Sequence, residues 1–138
     1  MKTNCVLGGR YECPARYLHF SLADARTAND SALAREVLDD PTTILNMSHA
    51  SVLEMVVKHR AGKLTFPQPP EKWIPSRRAY FQIKDLPLDE LLIYRSGKLP
   101  DVHRDPFDRL IAAHAMQAGC TVISPDAQLG LLGASRLW

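Results

Sequence analysis

From residue 31 onward, apolar and polar positions follow one another in short runs with helical or strand-like spacing. Leu33, Val37 and Leu38 form an apolar stripe with helical spacing, and Asn29 or Asp30 is the expected N-cap of this helix. Compact β-rich runs between the helical segments predict buried strands. We predict helices over 31–39, 50–61, 72–81, 89–94, 105–118 and a short one from 126, and strands over 42–47, 82–87, 120–124 and 136–138.

The first thirty residues do not show such a pattern. Gly8-Gly9 would break an early strand, and Pro14 cannot donate a hydrogen bond to a central sheet ladder. The segment 17–23 is compatible with either a short helix or a strand. The pattern therefore leaves this part of the fold open.

Strands that alternate with helices predict an α/β protein, with a central parallel sheet covered by helices on both faces. A chain of 138 residues suits a single domain, which we expect to span 1–138. Binding sites of such sheets lie at the carboxyl ends of the strands. Polar residues that follow the predicted strands are therefore the first candidates for a site.

Composition and charge exclude several classes of protein. Apolar residues make up 46% of the chain and charged residues 23%, which is typical of a globular domain rather than a disordered one. The three cysteines fit neither a zinc site nor a disulfide framework and are expected to be reduced thiols. No apolar run could span a membrane and no secretory signal is evident, so a cytoplasmic location is expected. The net charge of +2 is compatible with an RNA partner but does not indicate one.

Acidic residues stand at or near the predicted element starts. Asp105 and Asp108 open the longest helix, Asp126 follows the strand 120–124, and Glu54 lies in the helix 50–61. Each has a structural explanation, because Glu54 can pair with Lys58 four residues later and the aspartates suit helix starts. Together, however, they could hold Mg²⁺, which prefers carboxylate oxygens and activates water for phosphodiester hydrolysis.

Three segments resemble the VapC-type PIN domains. The run His-Arg-Asp-Pro-Phe-Asp-Arg-Leu-Ile-Ala-Ala at 103–113 is similar to the family motif. Residues 48–58, followed by Gly-Lys-Leu at 62–64, resemble the segment that carries the family's helix glutamate. Val-Ile-Ser-Pro-Asp at 122–126 resembles its strand-then-aspartate segment. The order and spacing of all three match, and the resemblance covers about 24–138.

The resemblance implies a three-layer α/β/α domain that cleaves RNA with Mg²⁺ or Mn²⁺, as the toxin of a type II toxin–antitoxin system. A VapB-like antitoxin and a second copy of the chain are the implied protein partners. By position, Glu54, Asp108 and Asp126 would be the catalytic, metal-binding acids, and Asp105 would join or support them. Ser124 stands where a hydroxyl commonly lines the site.

The N-terminal residues 1–23 are atypical for this family, which normally begins with an apolar strand ending in Asp-Thr. An ungapped match places Pro14 where the aspartate should stand. Three explanations stay open: a degenerate relative, replacement by a neighbour such as Glu12, or a reading frame shifted locally across Arg16-Tyr17. Loss of this carboxylate would weaken metal binding and leave the central strand poorly formed.

Basic residues near the acids are candidates for RNA contacts. We expect Arg104, Arg109 and Lys58, together with Ser124, to bind RNA, although solvated helix faces would also explain the basic residues. His103 is expected to be a loop or helix-flanking residue. His114, among alanines in the helix 105–118, is expected to be a packing or surface residue.

The leading hypothesis is therefore a Mg²⁺-dependent endoribonuclease toxin. The missing aspartate motivates a rival, a PIN-like protein that only binds antitoxin or RNA. An unrelated small α/β phosphoesterase is a third alternative.

Overall fold

Parallel strands form the centre of the computed structural model, which describes residues 4–7 and 31–138. The strands are β1 (Asn4–Leu7), β2 (Ile44–Ser48), β3 (Lys84–Leu86), β4 (Thr121–Ile123) and β5 (Arg136–Leu137). Their order across the sheet is β3-β2-β1-β4-β5, and every neighbouring pair is parallel. The predicted α/β class with a central parallel sheet is thus confirmed.

Strand β1 lies in the middle of the sheet, so the expectation that Gly8-Gly9 would prevent an early strand was wrong. Leu7 is in register with Met47 of β2 on one side and with Ile123 of β4 on the other. A strand of four residues can persist here because neighbours on both sides supply hydrogen bonds. The central strand is formed, and the predictions for 17–23 and Pro14 lie outside the described residues.

The predicted helices are present with boundaries shifted by a few residues. In the described part of the chain they are α1 (Ala32–Asp39), α2 (His49–Arg60), α3 (Pro70–Tyr80), α4 (Glu90–Gly97), α5 (Pro106–Ala118) and α6 (Gln128–Leu131). None of these helices is both long and apolar enough to cross a membrane.

Side-chain caps determine where α1, α2 and α5 begin. The N-cap of α1 is Ser31 rather than Asn29 or Asp30, because the Ser31 hydroxyl accepts a hydrogen bond from the Ala34 N–H at 3.1 Å. Ser48 caps α2 in the same way. Asp105 caps α5, and Gly119 ends that helix with a positive φ of 63°.

Two hydrophobic clusters cover opposite faces of the sheet. Neighbouring residues of β4 show this division, since Val122 belongs to one cluster and Ile123 to the other. On the Ile123 side, α1 and α3 contribute Ala34 and Trp73. On the Val122 side, α5 and α6 contribute apolar residues such as Ile111. The expected three-layer α/β/α arrangement follows from this packing.

Candidate functional site

The predicted acids gather at the carboxyl edge of the sheet. Asp126 follows β4 by three residues, and Glu54 lies in the second turn of α2, which follows β2 directly. Asp105 and Asp108 stand at the start of α5, which packs against α2. The topology thus brings together side chains that are more than 70 residues apart in the sequence.

Three buried or half-buried side chains form the tightest part of this site. One ligand-type atom each from His103, Asp108 and Asp126 lies within 4.8 Å of the others. His103 Nε2 and Asp108 Oδ2 are 2.6 Å apart, and both side chains are buried. Nitrogen and carboxylate oxygen atoms this close can converge on one divalent cation.

Glu54 faces the same region from α2. The side chain is only 3% exposed, and its Oε1 lies 2.6 Å from Lys58 Nζ. Its Oε2 is buried and has no hydrogen-bond partner among the described residues. Glu54, Lys58 and Asp105 line a cavity of about 310 Å³, whose wall also includes Lys63 and Phe107. A buried carboxylate oxygen without a partner is costly unless a cation or proton reaches it.

The pKa values of Glu54 and Asp108 are both affected by neighbouring carboxylates. Burial raises the pKa of Glu54, and the charges of Asp108 and Asp105 raise it further. The hydrogen bond and charge of Lys58 oppose that rise. Burial also raises the pKa of Asp108, and Asp105 and Asp126 contribute to the rise against the hydrogen bond from His103. Burial and the neighbouring carboxylates therefore both disfavour the charged forms of Glu54 and Asp108.

Asp105 has the capping role that the sequence indicated. Its Oδ1 accepts hydrogen bonds from the N–H groups of Phe107 at 2.9 Å and Asp108 at 3.3 Å. These two hydrogen bonds order the first turn of α5 and thereby fix the backbone position of Asp108. Asp105 also lines the cavity beside Glu54. Its second expected role, the support of a metal ion, stays a prediction.

Two of the expected RNA-binding residues have internal roles instead. Ser124 is 1% exposed, its hydroxyl accepts a hydrogen bond from the Asp126 N–H at 3.1 Å, and it cannot reach RNA directly. The Arg109 guanidinium donates to the carbonyl oxygens of Pro100, His103 and Leu99 at 2.8–3.0 Å. An RNA contact by Arg109 would break these bonds, which hold the loop before α5.

The other two expected RNA-binding residues, Arg104 and Lys58, differ in how exposed they are to a substrate. The Arg104 side chain is 89% exposed, and its nearest acid, Asp101, lies 4.0 Å away. Lys58 is half-buried against Glu54 at the rim of the cavity. The RNA contact of these residues stays a prediction.

His103 is the site residue that sequence reasoning missed. His103 lies in the loop directly before α5, as expected, but the burial of its side chain against Asp108 was not anticipated. In the sequence, His103 stands five residues before Asp108. This spacing does not correspond to neighbouring positions on a helix, so it did not predict a contact. His114, in contrast, packs inside the protein as one of the expected alternatives, with Nδ1 2.9 Å from the Ser48 hydroxyl oxygen.

The donor set fits a divalent cation. The cluster of His103, Asp108 and Asp126 offers oxygen and nitrogen ligands in one place, and the charge of Asp108 acts on the buried carboxylate of Glu54. A hard ion such as Mg²⁺ or Mn²⁺ needs only one or two carboxylates plus water from a protein. The residues present are therefore sufficient in kind to hold such an ion.

Comparison with known proteins identifies the family. The sequence profile of the PIN domain matches residues 20–133, so the chain belongs to the PIN domain family. This finding excludes the unrelated small phosphoesterase. The matched region begins at residue 20. No curated protein matches the sequence significantly.

Solved structures share the fold at low sequence identity. One is VapBC2 from Rickettsia felis bound to a promoter DNA fragment, with 14% identity, a TM-score of 0.60 and 98% coverage of each chain. VapBC-1 from nontypeable Haemophilus influenzae has 16% identity and a TM-score of 0.61, with 98% of this chain and 97% of that chain covered. FitAB bound to the IR36 DNA fragment has 16% identity and a TM-score of 0.58, with coverage of 96% and 93%.

Proposed function

We propose that this PIN domain is a metal-dependent endoribonuclease of the VapC type, the toxin component of a toxin–antitoxin pair. One observation carries the proposal: Glu54, Asp105, Asp108 and Asp126 meet at the carboxyl edge of the sheet, although they lie on three separate segments of the chain. Helix capping and surface ion pairs account for each acid singly, but not for the approach of Asp105 and Asp108 to Glu54, whose Oε2 is buried without a hydrogen-bond partner among the described residues.

The proposed division of labour follows from burial and position. Asp108 and Asp126 hold a divalent ion, and Glu54 faces it from α2. When bound, Mg²⁺ or Mn²⁺ would activate water and offset charge on the phosphodiester. Ser124 holds the backbone that presents Asp126, and Asp105 holds the first turn that presents Asp108. The chain thus supplies a preorganised set of anionic ligands.

Basic residues beside the cavity suit a polyanionic substrate. Lys58 and Lys63 line it, and the exposed Arg104 directly precedes Asp105. Phosphate contacts by lysine and arginine provide affinity without sequence specificity. We therefore propose that RNA enters across this rim.

Protein partners are part of the proposal. The VapBC names of two structural neighbours support a VapB-like antitoxin as the partner of this chain, and a homodimer of the chain is the second proposed assembly. Exposed apolar side chains, among them Leu53, Val57 and Tyr94, offer surface for such contacts. A role in cleaving RNA places the protein in the cytoplasm.

The second candidate function is a non-catalytic PIN domain that binds only antitoxin or RNA. Its supporting observation is that β1, the central strand, is followed in the sequence by Gly8-Gly9-Arg10, none of which has a carboxylate. This candidate predicts RNA or antitoxin binding without metal-dependent cleavage.

Cleavage of a panel of structured RNAs with Mg²⁺ or Mn²⁺ distinguishes the two candidates. The parent chain should cleave, and Asp108→Asn should reduce the rate by at least about 100-fold, since metal-site residues act as a unit. Asp101→Asn is the matched control, because it removes the same charge from an exposed side chain in the preceding loop. That control should cleave at the parent rate.

Other results would refute the endoribonuclease. Folded parent protein that cleaves no RNA with either ion would favour the non-catalytic candidate. Equal cleavage by the parent and by Asp108→Asn would show that the activity does not arise at this site.

A further inference from the structure

A nitrogen donor lies where the sequence predicts only carboxylates. His103 is buried, and its Nε2 lies 2.6 Å from Asp108 Oδ2. One ligand-type atom each from His103, Asp108 and Asp126 lies within 4.8 Å of the others. An ion between them could therefore be reached by the imidazole as well as by the two carboxylates.

The position of His103 does not depend on Asp108 alone. The His103 carbonyl oxygen accepts a hydrogen bond from Arg109 Nη1 at 3.0 Å. The same guanidinium also binds the carbonyl oxygens of Pro100 and Leu99, which lie earlier in the loop. Because Arg109 fixes the backbone, the imidazole would stay at the site if Asp108 turned from it towards an ion.

A second observation indicates that this region takes a cation. Glu54 Oε2 is buried without a hydrogen-bond partner among the described residues, and the charges of Asp108 and Asp105 act on this carboxylate. Lys58 is paired with the other oxygen of Glu54. A divalent ion beside Glu54 would offset the charge of this buried carboxylate.

We propose that His103 is itself a metal ligand, which completes a site of one imidazole and two carboxylates with Asp108 and Asp126. This inference rests on the proposed metal-dependent function. Imidazole suits first-row transition ions, whereas Mg²⁺ is held chiefly by oxygen. The site therefore favours Mn²⁺ over Mg²⁺ more strongly than an all-carboxylate site.

Pulsed electron paramagnetic resonance of the full chain loaded with Mn²⁺ alone tests the ligand directly. A coordinated imidazole produces nitrogen modulation of the Mn²⁺ signal, and this modulation should be present in the parent and absent in His103→Gln. His114→Gln is the matched control, because His114 is a second buried histidine six residues beyond Asp108 on the same helix. Parent protein with bound Mn²⁺ and no nitrogen modulation would overturn the proposal without relying on any variant.

Calorimetric titration with Mn²⁺ and with Mg²⁺ provides an independent test. His103→Gln should lower the Mn²⁺ affinity by at least about tenfold and the Mg²⁺ affinity by less than about threefold. His103→Asp should restore Mg²⁺ binding and reduce the preference for Mn²⁺. An equal loss for both ions would show that His103 only orients Asp108 and would overturn the proposal.

These measurements use no RNA, so they separate this inference from the proposed function. Nitrogen ligation in a protein that cleaves no RNA would support His103 as a ligand and refute the nuclease. Metal-dependent RNA cleavage without nitrogen ligation would support the nuclease and refute His103 as a ligand.

Discussion

The fold disfavours the ionised forms of Glu54 and Asp108 in the metal-free protein. Burial is the first cause of the raised pKa of each, and neighbouring carboxylates add to it. A carboxyl group whose pKa is raised on folding makes its full contribution to stability below its ordinary pKa. That contribution is lost as the pH rises through the folded value. Ionisation of these two carboxyl groups therefore costs folding stability.

Glu54→Gln should therefore stabilise the metal-free protein at neutral pH. The amide has the same shape without the charge, so we expect a gain of about 1 kcal/mol in the free energy of unfolding. The gain should disappear as the pH falls towards the ordinary value of 4.5, where Glu54 is protonated in both states. Urea denaturation over this pH range, without divalent ions, measures it.

Glu54→Gln also removes the ion pair with Lys58, and this loss opposes the expected gain in stability. Lys58→Met is the control that removes the pair and leaves the carboxylate, and it should destabilise the metal-free protein. If Glu54→Gln instead lowers stability at pH 7, the ion pair outweighs the burial of the carboxylate.

His114 links the helix α5 to the end of β2. Its Nδ1 lies 2.9 Å from the Ser48 hydroxyl oxygen, and burial lowers its pKa below the ordinary value of 6.5. The charge of Asp89 opposes that change and the charge of His49 adds to it. A histidine kept neutral by the fold costs stability as the pH falls below 6.5, because the unfolded chain then binds the proton more readily.

Replacement of this histidine should change how stability depends on pH. His114→Gln should lower the free energy of unfolding by about 1 kcal/mol above pH 7, since it disturbs the contact with Ser48. The difference from the parent should shrink below pH 6. Denaturation at several pH values measures it, and a constant difference would show that His114 is protonated equally in both states.

At the scale of elements, the first turn of α5 contains both the residues that begin the helix and a residue of the candidate site. Pro106 suits the first turn, Asp105 caps it, and Asp108 points into the buried cluster. The sequence alone could not separate capping from metal support at Asp105, because both need the same carboxylate.

Two substitutions at Asp105 separate these roles. Ser keeps the cap and removes the charge, so Asp105→Ser should retain stability and lower Mn²⁺ affinity severalfold. Asp105→Ala should lose the same affinity and also about 1 kcal/mol of stability. Thermal unfolding and Mn²⁺ titration measure the two effects, and parent-like Mn²⁺ affinity in Asp105→Ser would leave capping as the only role.

Element types were predictable where the local signal was strong. Regular apolar spacing and cap residues located the helices from residue 31 to within a few residues of their observed ends. The strand β1 was missed because four residues carry too little pattern to be recognised without β2 and β4 on either side.

At the scale of the molecule, the position of β1 makes the missing carboxylate testable. The carboxyl end of β1 lies between those of β2 and β4, and Gly8 is the next residue in the sequence. Gly8→Asp should raise Mg²⁺ affinity by about tenfold, equivalent to about 1.4 kcal/mol of added attraction. Calorimetry measures this gain, with Gly9→Asp as a control for the added charge. An equal gain in both variants would indicate general charge attraction rather than an added ligand.

The sequence by itself determined the element types from residue 31 and the α/β class, because periodicity and capping are local properties. Which acids to consider together came from the resemblance of three motifs to the PIN family. The tertiary structure alone decided that β1 is central, that Arg109 and Ser124 support the interior, and that His103 lies against Asp108. These outcomes depend on contacts between distant segments and on burial. Both arise only when the parallel strands bring their carboxyl ends to one edge.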